Sequence, residues 1–251
     1  MPDDRAHSAQ RSRLPRAQRA RERCLLALEA LGATARITAT TPHPSQPKRV
    51  QLRSGRRVVA TLGASLVEAL EADHGPLVGA RIEGALAQAI VEQVERDAAR
   101  REALRRLNRR PLLSGALATA LRRQGFSQAA VQDALAHCAA IGALDDHATA
   151  KAHAEAALAK QPLGARGLIA ALQRRGADPQ LARDVAQEAL MGHDEREDAT
   201  VAARRRARSL QRLPLETAQR RLLAYLQRRG FSLEISLEAV RNALDGPHEP
   251  S

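Results

Sequence analysis

The chain has 251 residues, of which 44% are hydrophobic and 1% aromatic, so it can build a core, and that core must be of Leu, Val, Ile and Ala. Phe126, Tyr225 and Phe231 are its only aromatic residues, which excludes an RRM- or OB-type reader that stacks bases on aromatic platforms. A formal charge of +12 and a pI of about 11.2 call for an acidic partner, whether nucleic acid, an anionic membrane or an acidic protein surface.

Residues 1–32 read as a basic arm. Seven arginines, ending at Arg23, stand among Ser, Pro, Gln and His without an apolar period, so most of the arm is expected to be disordered, with room for a short helix from Arg16 to Leu31. Such an arm is either a floppy tail or a fly-casting element for a nucleic-acid complex. The stretch Arg19–Ala35 imitates a signal peptide, but Glu29 interrupts its short apolar segment and Pro15 with scattered charges precedes it. No apolar run approaches the roughly 18 residues of a membrane span, and no membrane partner is expected.

Residues 33–97 change character. Arg36–Thr41, Arg49–Leu52 and Val58–Leu62 are β-branched and partly alternating, and Ser54-Gly55 supplies a tight turn between the last two. The expectation is a small antiparallel sheet of three strands, with Pro42, Pro44 and Pro47 in the loop between the first strand and the hairpin. Helix returns near Ser65 and breaks at Gly75-Pro76. Ile82, Leu86, Ile90 and Val94 then recur every four residues, the mark of a long linker helix.

Beyond it the chain repeats a word. Leu121-Arg122-Arg123-Gln124-Gly125-Phe126 returns as Leu172-Gln173-Arg174-Arg175-Gly176-Ala177 and as Leu226-Gln227-Arg228-Arg229-Gly230-Phe231, at intervals of roughly 50 residues. Polar residues followed by Gly after a final apolar residue spell a left-handed helix cap, with the residue after Gly meeting the leucine. Each capped helix is preceded by a Pro-Leu pair (Pro111-Leu112, Pro162-Leu163, Pro214-Leu215) and followed by a further apolar-periodic segment. Three tandem three-helix repeats are expected, over 98–144, 145–192 and 193–245, stacked in a curved array and followed by a tail at 246–251. The acidic joints Asp145-Asp146 and His193–Asp198 could serve acid–base chemistry, but helix capping is the better reading.

Enzyme chemistry finds little support. The nearest approach to a P-loop, Gly79 to Gly84, runs on into Ala85 and Leu86. His137, Cys138, His147 and His153 match no zinc spacing. Cys24 and Cys138 form no disulfide framework, as in a reducing cytoplasm. No enzyme activity, metal or cofactor is expected, and the chain reads as a cytoplasmic monomer.

Arginine is unevenly spread. Residues 100–125 hold eight, against Glu102 alone, and residues 204–229 hold nine, against Glu216 alone. Cations at a helix carboxyl end interact favourably with its dipole by about 0.3–1 kcal/mol, which accounts for the pairs in the cap words. It does not account for Arg204-Arg205-Arg206 and Arg208, read as lying within a helix, where like charges repel unless an anion is near. The candidate partner or nucleic-acid residues are Arg105, Arg106, Arg109, Arg110, Arg122, Arg123, Arg174, Arg175, Arg204, Arg205, Arg206, Arg208, Arg220, Arg221, Arg228 and Arg229. The competing reading is solvated faces and GC-rich coding, since Lys48, Lys151 and Lys160 are the only lysines.

The three caps, Gly142-Ala143-Leu144-Asp145-Asp146 and Gly164–Leu172, in this order and spacing, resemble the RecX family of bacterial recombinase regulators. The likeness runs from Ile37 to Leu244 and departs at Ala116, where the family favours an acidic residue, at Ser114, one position off the usual serine, and at Ala177. The resemblance implies a non-enzymatic modulator that binds in the groove of the RecA filament on single-stranded DNA. It would restrain filament extension, ATP hydrolysis and strand exchange, and with them recombination, DNA repair and the SOS response. Two other readings remain: a helix-turn-helix-like binder of DNA that acts without the recombinase, and a helical scaffold with no nucleic-acid role.

Overall fold

The computed structural model of the chain describes residues 15–32 and 34–244. They group into two compact units, one running to Pro111 and taking in Leu117–Leu144, the other made of Leu112–Ala116 and the chain from Asp145 on. The fold is mainly α, with a three-stranded antiparallel sheet.

In the basic arm, Arg16–Glu29 form α1, the short helix for which the sequence leaves room between Arg16 and Leu31. Ala17, Ala20 and Cys24 are its buried residues, and Arg16 pairs with Glu102, which together give the helix a surface to lie on. Residues 1–14 and the tail from 245 lie outside the described residues. The strands are β1 (Ala39–His43), β2 (Gln46–Ser54) and β3 (Arg57–Gly63), in the order β1-β2-β3. Ser54 pairs with Arg57 across the tight turn, where Gly55 takes φ +58°, as the first central residue of a two-residue hairpin loop can. Pro42 and Pro47, expected in a loop, sit in strands instead. Pro42 belongs to an edge strand, and Pro47 falls in the irregular stretch between the pairs Pro42–Val50 and His43–Gln46, where no ladder donor is needed.

Two helices follow, α2 (Ala64–His74) and the long α3 (Gly84–Leu107). Ile82, Leu86 and Ile90 are buried as the four-residue period requires, although Ile82 precedes the helix. They join Leu52, Leu62 and Leu66 in the core beneath the sheet. The same helix also buries three carboxylates, each with partners. Glu95 accepts the Ser127 N–H (2.7 Å), and Glu102 takes Arg16, Arg105 and Arg106. Asp97 accepts from the Gly63 N–H (3.0 Å) and from Arg49 (2.6 Å), and pairs with Arg101 at 3.0 Å. The acids thereby fix the sheet, the arm helix and the start of the helix at Gln128–Ala140 along one spine. Asp97→Asn is expected to keep the shape and lose the charge, costing about 1.5 kcal/mol, read as a lowered urea midpoint in far-UV circular dichroism.

The remaining helices are α4 (Ser114–Arg122), α5 (Gln128–Ala140), α6 (Asp146–Lys160), α7 (Ala165–Arg174), α8 (Pro179–Leu190), α9 (Glu195–Ala207), α10 (Leu215–Arg228) and α11 (Leu233–Leu244). Helix α3 packs on α5, α6 on α8 and α9 on α11. In the second unit, Leu168, Leu172 and Val185 centre one core, and Leu222, Leu226 and Phe231 another. The contact surfaces are rich in alanine, which lets helices approach closely.

All three cap words are Schellman motifs. The Gly125, Gly176 and Gly230 N–H groups each donate to the carbonyl three residues back. Those of Phe126, Ala177 and Phe231 donate to Leu121, Leu172 and Leu226 at 3.4, 3.1 and 3.3 Å. The glycines take φ of +82°, +96° and +90°. At the acidic joints the carboxylates cap helices: Asp145 accepts the Ala148 N–H, and Asp194 accepts those of Arg196 and Glu197. Asp146 accepts the backbone N–H and the hydroxyl of Ser114, so the displaced serine ties the start of α4 to the start of α6.

Candidate partner interface

Within the second unit, helices meet backbone to backbone. The first turn of α7 lies on the cap that ends α10, where the Gly164 N–H donates to the Arg229 carbonyl at 3.1 Å. A Cβ on Gly167 would stand 1.9 Å from the Arg229 oxygen, and one on Gly230 1.8 Å from the Gly167 nitrogen. In the same way the start of α4 meets the cap of α7, with Gly115 on the Gly176 oxygen and Gly176 on the Ala116 nitrogen. Side chains at these places would hold the helices apart.

This approach builds a cleft. The cap of α10 brings Arg228 and Arg229 to Arg174 and Arg175 at the end of α7 and to Lys160 at the end of α6, around a groove of about 650 Å³. Ala156, Ala157, Ala170, Ala171 and Gly167 line it with small surfaces, and no carboxylate lines it. Arg229 is locked in place: its guanidinium donates to the Pro162 carbonyl (3.1 Å) and the Gln161 Oε1 (2.6 Å), and lies 4.5 Å from the centre of the Tyr225 ring. Arg206 lies over the same ring at 5.6 Å, and such contacts hold a guanidinium without neutralising it. Arg175 reaches His153 Nδ1 at 3.4 Å. Of the groups lining this groove, Lys160, Gln161 and Tyr225 are not among the sequence candidates; only the docking of α7 on the cap of α10 brings them there.

The other candidates are placed as follows. Arg204, Arg205 and Arg206 form the exposed last turn of α9, with Arg208 as its C-cap residue. Arg204–Arg206 thus lie within a helix as expected, but in its last turn, where the helix dipole offsets part of their repulsion. Arg220 and Arg221 are exposed on α10. In the first unit, Arg105 and Arg106 are tied to the buried Glu102, so part of their charge is spent inside the fold. Arg109 and Arg110 are exposed after α3, and Arg122 and Arg123 at the end of α4.

A second groove, of about 630 Å³, runs between α1 and α3 in the first unit. Arg16, Arg19, Arg23, Arg101 and Arg105 line it, with Glu22 and Glu102. Burial lowers the pKa of Arg16, helped by Arg19, Arg106 and Arg109. Except for Arg105, these arginines are not sequence candidates, because nothing in the sequence shows α1 lying along α3.

No group of three or more His, Cys, Asp or Glu among the described residues is arranged to hold a metal ion. His147 sits against Glu188, and burial pushes the Cys138 thiol upward in pKa. No helix of the described residues is long and apolar enough to cross a membrane.

The family model for the third three-helix domain of RecX matches residues 194–240. Regulatory protein RecX of Thermobifida fusca is 33% identical over 147 residues, covering 59% of this chain and 79% of that protein. Regulatory protein RecX of Streptomyces coelicolor is 32% identical over 147 residues, 59% of this chain and 78% of that protein. A crystal structure of regulatory protein RecX superposes with a TM-score of 0.63, covering 83% of this chain and 99% of that one at 16% identity, a likeness of fold.

Proposed function

The chain belongs to the RecX family of regulatory proteins, and from that premise we propose that it regulates the RecA recombinase by binding rather than by catalysis. It docks in the groove of RecA filaments on single-stranded DNA and inhibits filament extension, ATP hydrolysis and strand exchange, so that recombination, DNA repair and the SOS response are held in check. The docking body is the series of three-helix units at 98–144, 145–192 and 193–245, acting as a cytoplasmic monomer.

The observation that carries this reading is the cleft ringed by Lys160, Arg174, Arg175, Arg228 and Arg229 with no carboxylate in its lining. Five cations gathered without a counter-charge raise the cost of the folded state unless an anionic partner is gained. The Tyr225 ring and the Gln161 amide hold Arg229 ready for that partner. Arg204, Arg205, Arg206, Arg208, Arg220 and Arg221 extend the basic surface of the second unit. Arg109, Arg110, Arg122 and Arg123 supply that of the first, with the half-neutralised Arg105 and Arg106 contributing less.

The test is recombinase ATP turnover on single-stranded DNA. Substoichiometric amounts of the chain are expected to lower the turnover rate progressively. A rate that stays flat up to equimolar chain would sink the proposal.

A further inference from the structure

The arm helix α1 is attached in an unusual way. It buries only small residues, Ala17, Ala20 and Cys24, and is held by the Ala17 N–H to the Gln124 carbonyl at 3.4 Å, by Arg57 to the Ala30 carbonyl at 2.6 Å, and by ion pairs from Arg16 to Glu102 and from Arg21 to Glu95 on α3. Between those ends it sets Arg16, Arg19 and Arg23 beside Arg101 and Arg105 of α3. The two carboxylates in the lining do not balance five guanidiniums. Glu102 is already shared among Arg16, Arg105 and Arg106, and Arg101 draws on Asp97, which Arg49 also uses. Arg16, Arg101 and Arg105 nonetheless leave 41–54% of their side chains open to water. The groove thus carries more positive than negative charge along its length even though Arg16 and Arg21 tie the two helices through Glu102 and Glu95, and an anion between the helices would relieve the repulsion among the guanidiniums.

We propose that the groove between α1 and α3 binds the phosphodiester backbone of single-stranded nucleic acid, with α1 as a jaw that the strand holds shut. Guanidiniums at i, i+3 and i+7 on one helix, facing two more on the other, offer paired donors to successive phosphates. Leu26, 43% exposed, and Ala98 supply apolar surface beside those donors, suited to a sugar or an unpaired base and of no use to a string of carboxylates. A groove of about 630 Å³ between two packed helices has room for part of one strand. The inference does not depend on the recombinase reading, since the strand is gripped by this chain alone.

Cys24 reports the jaw. It is 4% exposed, and burial pushes its thiol up to about 11, so at neutral pH it reacts with a maleimide mainly when α1 lifts. The experiment labels the full chain, without recombinase, in the presence and absence of an oligothymidylate strand at low salt, and follows the Cys24 and Cys138 peptides by mass spectrometry. The strand is expected to slow Cys24 labelling about fivefold or more and to leave Cys138 unchanged. The double variant Arg19→Ala, Arg23→Ala is expected to lose most of that protection while keeping its helical circular dichroism. Labelling unaffected by the strand, or protection retained in the double variant, overturns the proposal. Equal protection by polyglutamate overturns it in favour of an acidic protein segment. Because no recombinase is present, flat ATP turnover in the filament assay leaves this result standing, and the reverse holds too.

Discussion

Gly167→Ala is expected to destabilise the second unit by about 3 kcal/mol or more, and Gly230→Ala by at least as much. The added methyl of the first would stand 1.9 Å from the Arg229 carbonyl oxygen, and that of the second 1.8 Å from the Gly167 nitrogen. Both obstacles are backbone, which cannot swing aside as a side chain can, so α7 and the cap of α10 must separate. Separation costs the bond between the Gly164 N–H and the Arg229 carbonyl and pulls Arg228 and Arg229 away from the cleft. Gly142→Ala is the control. Gly142 also has a positive φ, +71°, but meets nothing within 4 Å, so its alanine should cost only the left-handed strain of about 1 kcal/mol. Urea titrations followed by circular dichroism compare the three variants. Equal losses at Gly142 and Gly230 would show that conformation alone, not helix docking, requires glycine at position 230.

That contrast also shows where a sequence stops being readable. The caps are local: Leu226, two arginines and Gly230 dictate a Schellman turn wherever they fold, so the helix ends follow from a few neighbouring residues. Gly164 and Gly167 read only as part of a family-like word, because their reason is a carbonyl more than 60 residues away in the chain. The acids of α3 are hidden for a similar cause. Glu102 among arginines looks like a lone counter-charge on a wet face, yet it is buried and clamps three of them. Pro47 looks like a loop residue because a bulge in strand pairing is a tertiary event. For the interface, the arginine pairs are legible and their grouping is not. Arg174, Arg175, Arg228 and Arg229 come together with Lys160 only because glycine lets two helices touch.

Reversing charge in the cleft, Arg174→Glu with Arg228→Glu, is expected to weaken binding to the recombinase filament by about 30-fold or more and to raise the amount of chain needed for half-inhibition in proportion. Both side chains are exposed, so the substitutions should leave the fold intact. They lose a favourable dipole contact of about 0.3–1 kcal/mol each and relieve repulsion among the remaining cations. Two sign changes in a five-cation ring leave it close to neutral, and an anionic partner then gains little from docking. Arg229 is unsuited to this test, since its bonds to Pro162 and Gln161 make it part of the fold. The effect should shrink as salt rises, because exposed charges are screened over about 8 Å at physiological ionic strength. A double variant that binds filaments and inhibits turnover like the parent chain would remove the cleft from the interface.

The most direct test of a filament regulator compares two affinities of the same chain at physiological salt, one for recombinase-coated single-stranded DNA and one for the bare strand. Phosphate contacts alone, such as those proposed for the groove between α1 and α3, weaken steeply with salt, whereas docking on the filament adds protein surface to them. Binding to the coated strand is expected to be at least about tenfold tighter, a difference of about 1.4 kcal/mol. Equal affinity for the coated and the bare strand would contradict it and leave a DNA-binding helical protein that acts without the recombinase.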